Sequence, residues 1–152
     1  SGVFATKDIA KGAQIIEYVG DKITKQEGDK RSAKRIKNFL NSEETGSVYV
    51  FELNEKYDID GFTSYNKAKY INHSCSPNCE VDIINNRIWI SSIKKIKSGE
   101  ELSYDYGYDF DKDDFKDHVC KCGSKNCVGF IISSDDWPKY LKYIKKIINM
   151  KK

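Results

Sequence analysis

Apolar positions in this chain come mostly in short alternating runs, broken by Gly, Asn, Asp or Pro, a pattern of short strands. Residues 3–5 and 14–19 fit two such strands, with a turn at Lys11-Gly12 between them. Thr24-Lys25-Gln26-Glu27 has the form of a capping box and predicts a helix running to about residues 38–41. Ile36, Phe39 and Leu40 would share one face of it, with Gly28 weakening its first turn. Residues 48–53 and 57–59 are rich in β-forming side chains, and residues 80–84 and 87–92 alternate across Asn85-Asn86, a strong hairpin signal. Residues 96–102 echo residues 9–15, one turn chemistry used twice. From Ser134 on, Asp135 and Asp136 favour a helix start, and Trp137, Leu141, Ile144 and Ile148 recur at helical spacing. A packed C-terminal helix explains that stripe better than one lying on a membrane.

Length and charge narrow the picture without deciding it. The 152 residues suit one domain with a single core. No apolar run approaches the ~20 residues of a membrane span, so a soluble protein is expected. A chain opening Ser1-Gly2-Val3-Phe4, without methionine and without a signal-peptide pattern, points to a start cut from a longer protein. Net charge is only +3, from 26 basic and 23 acidic residues, which does not mark a dedicated nucleic-acid binder. The charge is uneven, however. Asp109, Asp111, Asp113, Asp114 and Asp117 form an acidic stretch, and residues 139–152 are lysine-rich; a solvated loop and a solvated helix face are the plainer readings.

The five cysteines change the picture more. An odd number leaves one unpaired in any disulfide scheme. Cys120, Cys122 and Cys127 stand within eight residues beside Gly123 and Gly129, whose backbones permit tight turns around one ion. Structural zinc takes four Cys or His ligands, so a fourth must come from elsewhere, with Cys75, Cys79, His73 and His118 as candidates. Metal ligation in a reducing compartment is the expectation, against a disulfide plus a free thiol.

Residues 70–79, Tyr-Ile-Asn-His-Ser-Cys-Ser-Pro-Asn-Cys, crowd Asn72, His73, Ser74 and Cys75 together, and Pro77 rules out helix there. A later run, residues 101–107, reads Glu-Leu-Ser-Tyr-Asp-Tyr-Gly. Taken in order with the cysteine cluster, these motifs resemble the SET-domain protein lysine methyltransferases that carry a post-SET zinc segment. Gly2-Val3-Phe4-Ala5, Glu17-Tyr18-Val19-Gly20, Tyr49-Val50-Phe51 and Asn66-Lys67-Ala68-Lys69-Tyr70-Ile71 follow the family's order too, and the likeness spans about residues 2–132. The closest look is to compact members found in bacteria.

That resemblance implies a mostly β, knot-like fold of small curled sheets, with a SET domain over residues 1–118, a zinc segment over 119–132 and a C-terminal helix over 133–152. It implies S-adenosylmethionine on one face and a target lysine entering from the other. Gly2, Phe4, Tyr49, Asn72, His73 and Tyr106 would bind the cofactor. Tyr106 would be catalytic, with Tyr18 and Tyr104 beside it in the lysine channel. Cys75, Cys120, Cys122 and Cys127 would hold zinc, leaving Cys79 as a core thiol. A tyrosine rather than phenylalanine at 104 would hinder repeated addition, so mainly monomethylation, with some dimethylation, is expected.

The chain departs from the family in having only the second glycine of the usual Gly-x-Gly loop, Lys69 in place of arginine, and Tyr65 in place of glycine. The segment between residues 53 and 66 is short, and no cysteine-rich region precedes the domain. Competing readings are a zinc-stapled module that binds lysine tails without catalysis, and a Cys75–His73 acyl-transfer enzyme. Metal ligation would consume Cys75 in the latter. The expected partner is a protein with an exposed lysine, a histone or other basic tail among the candidates, with no membrane and no direct sign of nucleic acid. Cytoplasm, chromatin and export into a host cell are all compatible.

Overall fold

A computed structural model describes residues 2–39 and 49–150. In chain order the elements are β1 (Gln14–Tyr18), β2 (Asp21–Thr24), α1 (Lys25–Phe39), β3 (Val50–Glu52), β4 (Tyr57–Asp60), β5 (Asn72–His73), β6 (Cys79–Ile84), β7 (Arg87–Ser92), β8 (Ser103–Tyr104) and α2 (Trp137–Met150). They form two antiparallel three-stranded sheets, ordered β1-β7-β6 and β2-β4-β3, and one two-stranded parallel pair, β5 with β8. The chain divides into two compact units. One holds residues 12–39, 49–70 and 81–91, and the other residues 2–11, 71–80 and 92–150.

In the first unit the hairpin forms where the sequence placed it. Asn85 and Asn86 both take positive φ, 51° and 57°, the pairing of a type I′ turn that matches strand twist. Helix α1 starts one residue after Thr24, whose hydroxyl accepts the Glu27 N–H at 3.3 Å. Only half of the capping box is used, because the Glu27 carboxylate turns to Arg31 at 2.9 Å. Of the expected apolar face, Ile36 is 44% exposed, whereas the Phe39 side chain and Leu40 lie outside what is described, as does Val48 at the start of the expected strand.

Ion pairs on β4 hold α1. Arg35 grips both carboxylate oxygens of buried Asp60 at 2.8 Å, and Arg31 adds a third bond at 2.8 Å. Lys25 reaches Asp58 at 2.6 Å. At Gly28, read from sequence as a weak point, α1 runs close against Asp58, and a Cβ there would strike the carboxylate. Burial by itself would raise the Asp60 pKa, but the Arg35 and Arg31 guanidiniums hold it at about 2. Its unfolded value is near ~3.9, so the stabilisation, about 2 kcal/mol, is complete above that and is lost as pH falls through about 2. Urea unfolding of the wild type should therefore lose about 2 kcal/mol between pH 5 and 2 that Asp60→Asn does not lose; identical pH slopes for the two proteins would refute the assignment.

In the second unit, Phe110, Phe115, Ile132 and Tyr140 form a buried cluster against which Phe130, Trp137, Tyr143 and Ile144 pack. Helix α2 is thus a packed helix, as its periodicity implied, and Trp137 and Ile144 of the expected stripe pack on the core, but Leu141 and Ile148 do not. Tyr140 enters the aromatic cluster, its ring 5.5 Å from Phe110 and 5.6 Å from Phe115. That rotation leaves Leu141 and Ile148 48% and 52% exposed. Asp136, expected to favour the helix start by charge, also accepts the Phe110 N–H at 2.7 Å. The echoed turns are real: Gly12 and Gly99 both take positive φ, 81° and 87°, and the segments before them pair through an Ile9–Ile96 bridge.

Candidate active site and metal centre

Two residues of each strand make the parallel pair, Asn72 opposite Ser103 and His73 opposite Tyr104. So short a pair needs outside support, and Asn78 supplies it. Its side chain accepts the Ser103 N–H at 2.9 Å and donates to Glu101 O at 2.8 Å, while its own N–H reaches Ser103 O at 3.2 Å. Ser74 N–H donates to Tyr104 O at 3.1 Å. The loop after β5 is in this way laced to β8, and Pro77 keeps it from continuing as regular structure.

Just past β8, the Tyr106 hydroxyl donates to Ile71 O at 2.9 Å, and its backbone N–H donates to His73 Nδ1 at 3.2 Å. Tyr106 lies 5.0 Å, ring to ring, from buried Tyr104 and 5.4 Å from His73. Because Nδ1 accepts, the neutral imidazole carries its proton on Nε2, which lies 3.6 Å from Cys75 Sγ. Burial lowers the His73 pKa and outweighs the opposite pull of Asp105, which keeps the ring neutral. Asp105 itself accepts the N–H groups of Gly107 and Ser134, at 2.9 and 2.8 Å.

Cys75 leads to the metal centre. Its sulfur and those of Cys120, Cys122 and Cys127 all lie within 4.8 Å of one another, with Cys75 and Cys120 at 3.8 Å. Tetrahedral zinc with bonds of about 2.3 Å requires sulfur–sulfur edges of about 3.8 Å, so the donor set fits such an ion. Asn126 donates to Cys75 O at 2.9 Å and Ser74 meets Ser124 at 3.2 Å, which fastens the two contributing segments together. Burial pushes the Cys75 thiol up to about 11 and raises Cys120 further. Cys122 is drawn down to about 6: burial opposes this, but hydrogen bonding to the backbone of Cys75 and to Ser124 favours the thiolate. Buried thiols this close can all ionise only around a cation. Of the other candidates, His118 packs edge-on against Tyr108 at 5.2 Å, and buried Cys79 bonds Asn78 Oδ1 at 3.4 Å. Burial raises the Cys79 pKa, as for an inert structural thiol.

A second group surrounds Glu101. Its carboxylate accepts from the Asn72 side-chain amide at 2.7 Å, and its backbone bridges Phe4, which is 55% exposed. A Cβ on Gly2 would run into that carboxylate as it is placed and sit tightly against the Asn72 amide, so any larger residue there would have to shift the Glu101 side chain. An exposed ring beside polar groups and open backbone suits a ligand with a flat base and a charged amino-acid head. Gly2, Phe4, Asn72, His73, Tyr104 and Tyr106 are thus gathered within one unit.

Tyr18 and Tyr49 belong to the other unit, where they are joined directly: the Tyr18 hydroxyl donates to Tyr49 O at 3.0 Å. Tyr18 is buried, its ring 4.4 Å from Phe51. Gly61 lies under it, and a Cβ there would overlap the ring. Sequence reasoning passed over Gly61 and Glu101 as individual site residues. Each has only a local clue, a glycine after a strand or a polar residue at a motif's edge, because what it does depends on a distant partner.

Comparison with known proteins agrees with this geometry. The family model described as SET domain matches residues 1–107. The chain is 36% identical over 130 residues to "Histone-lysine N-methyltransferase 2D" of Homo sapiens, an alignment covering 83% of this chain and 2% of that protein. It is 38% identical over 134 residues to "Histone-lysine N-methyltransferase, H3 lysine-4 specific" of Saccharomyces cerevisiae, covering 86% of this chain and 12% of that one. To "Histone-lysine N-methyltransferase trr" of Drosophila melanogaster it is 39% identical over 130 residues, covering 83% of this chain and 5% of that protein. The chain therefore spans only a small part of the length of these relatives. With that family model covering residues 1–107 and these relatives matched over most of the chain, the chain belongs to the SET-domain family.

Proposed function

We propose that this protein is a lysine methyltransferase that moves a methyl group from S-adenosylmethionine to a lysine side chain of a protein, with the Cys75–Cys120–Cys122–Cys127 centre holding structural zinc. The observation that carries the reading is Tyr106, fixed at both ends by Ile71 O and His73 Nδ1 within a SET domain. The names of the relatives favour a histone tail as substrate.

Bound S-adenosylmethionine supplies an electrophilic methyl with a neutral thioether as its leaving group, so the protein's task is to position the partners and to stabilise charge. Gly2, Phe4, Tyr49, Asn72, His73 and Tyr106 hold the cofactor. The target amine attacks after losing a proton to solvent, since lysine's reference pKa is ~10.4; an apolar, tyrosine-walled channel favours that loss by disfavouring the charged form. Tyr106, with its proton committed to Ile71 O, offers its oxygen as acceptor to the reacting centre. Tyr18 and Tyr104 wall the channel. The exposed aspartates between 109 and 117 add negative potential that attracts a basic tail.

Tyr104 bears on how many methyl groups are added. Its side chain is buried beside Tyr106, so a hydroxyl there occupies room that a methylated amine needs in order to rotate. The product is mainly monomethyl-lysine, with some dimethyl-lysine, and Tyr104→Phe raises the degree. Mass spectrometry of a histone H3 peptide checks this: mostly trimethyl-lysine from the wild type, or an unchanged pattern in the variant, counts against it. For the activity itself, transfer of tritium from labelled cofactor to a histone mixture is the direct test. Tight tail binding without transfer would favour a zinc-stapled reader, and label lodged on Cys75 would favour thiol chemistry.

A further inference from the structure

Asp105 stands between Tyr104 and Tyr106 and commits both carboxylate oxygens to backbone, one partner near in the chain and one far. Oδ1 accepts the Gly107 N–H at 2.9 Å, an Asx turn that fixes the direction of the chain just past Tyr106, where Gly107 takes φ 70°. Oδ2 accepts the Ser134 N–H at 2.8 Å, from a residue 29 positions on. Two further bonds run alongside. Ser133 N–H donates to Tyr108 O at 2.7 Å, and Phe110 N–H donates to Asp136 Oδ2 at 2.7 Å. Ser134–Asp136 form a single 3-10 turn that leads into α2, and Ser133, at its N-cap, makes no side-chain cap bond. The N–H of Ser134 is satisfied by Asp105 instead, so the start of the C-terminal helical segment is capped from the segment that carries Tyr106.

We propose that Asp105 is a positioning residue for methyl transfer, through which residues 133–150 hold Tyr106 in place. The inference rests on the reading above that Tyr106 acts at the reacting centre. Ile71 O fixes the Tyr106 hydroxyl and His73 Nδ1 fixes its backbone N–H, both on the side of the chain that precedes it. The next residue is glycine, the one with the widest choice of backbone conformation, so the following side needs a restraint of its own. Asp105 provides it at Gly107 and takes its rigidity from the helical segment, which Tyr140 anchors in the aromatic cluster. Bonds to a carboxylate are roughly twice as strong as neutral ones, and a carboxylate has only acceptors to offer. An amide in its place would turn a donor toward either Gly107 or Ser134. The match to the family model covers Asp105 but stops at residue 107, short of the segment it holds, so the motif that marked Tyr106 gave no sign of this tie.

The tie can be cut from either end in the full-length chain. Ser134→Pro removes only the far donor: proline lacks the N–H, suits the first position of a helical turn, and follows well from Ser133, whose backbone is already extended at φ −48° and ψ 134°. Asp105→Asn removes the acceptor. With tritiated S-adenosylmethionine and a histone H3 peptide, Ser134→Pro should lower kcat about tenfold and Asp105→Asn at least about tenfold, the scale of a small misplacement at a reacting centre. The peptide KM and the cofactor Kd should stay within about twofold, and the double variant should match Asp105→Asn, since both changes delete one bond; independent effects would multiply instead. Hydrogen exchange gives a reading apart from activity: the Tyr106 and Gly107 N–H groups should exchange about fivefold faster in Ser134→Pro. Ile90→Val, a core truncation of similar stability cost, should lower the melting temperature comparably and keep the wild-type kcat. Full kcat in both tie variants, multiplied losses in the double variant, unchanged exchange, a loss confined to cofactor affinity, or an equal kcat loss in Ile90→Val would overturn the proposal. Failure of the underlying reading looks different: wild type itself would transfer no methyl, and the positioning role would fall with it.

Discussion

Tyr106→Phe is expected to lower methyl transfer by about 10²–10³-fold while leaving the protein folded, the range seen when one preorganised dipole is removed from a reacting centre. The ring stays, and with it the packing on Tyr104 and His73, so the tertiary arrangement survives. What disappears is the hydroxyl that donates to Ile71 O, a loss worth about 1 kcal/mol of stability. Rate and stability should therefore separate widely. Single-turnover transfer from labelled cofactor would show the fall in rate, and the cofactor's dissociation constant should change little, since only the hydroxyl is deleted. Transfer within threefold of wild type would remove Tyr106 from the catalytic role. His73→Ala offers a second view, because it takes the acceptor from the Tyr106 N–H and leaves the Tyr106 hydroxyl intact. A loss of rate there would mark His73 as a positioning residue as well as a cofactor contact.

The second large effect is that of the metal. Chelation is expected to lower stability by about 4 kcal/mol or more, since structural zinc sites contribute binding energies of order 10 kcal/mol to folding. For a chain of this size that corresponds to a melting temperature at least about 10 °C lower. The four sulfurs come from two distant segments, 75 and 120–127, so losing the ion releases the second from the first. Activity should fall as well, by a route visible in the structure: Cys75 Sγ meets His73 Nε2, and His73 Nδ1 holds the Tyr106 backbone. Elemental analysis should find one zinc per chain in wild type, none in Cys75→Ser and one in Cys79→Ser, because Cys79 is spoken for by Asn78. Stripped protein that keeps both its melting temperature and its transfer rate would sink the structural role, and loss of zinc in Cys79→Ser would refute the ligand set.

Several features needed nothing beyond neighbouring residues. The Asn85-Asn86 turn, the start of α1 behind Thr24 and the repeated Gly12 and Gly99 turns are decided by backbone dihedrals and capping, which act over four or five positions. The motifs around Asn72, His73, Tyr104 and Tyr106 were legible for the same reason, as strings in a fixed order. Other features were not legible, and the cause is alike in each. Strands of two residues, such as β5 and β8, have no period to detect; Asn78 and the opposing strand create them. Three thiols within eight residues announced an ion but by spacing alone left four candidates for the last ligand; the family resemblance pointed to Cys75, and the fold brings it to the other three.

Burial followed the same division. Helical spacing identified α2 and placed Trp137 and Ile144 rightly against the core, but it also pointed to Leu141 and Ile148, which are exposed; the aromatic cluster at Phe110 and Phe115 is what turned Tyr140 inward. A period says that a helix has a face, whereas the partner that covers it selects which face. Likewise the grip of Arg31 and Arg35 on a buried aspartate, which the helical pattern of α1 did not announce, depends on Asp60 lying beneath it. The sequence by itself determined the turns, the two helices and the family's motifs, all of them properties of short-range geometry. The tertiary structure alone decided the grip on Tyr106 and the faces that packing covers, because each requires residues far apart in the chain to meet.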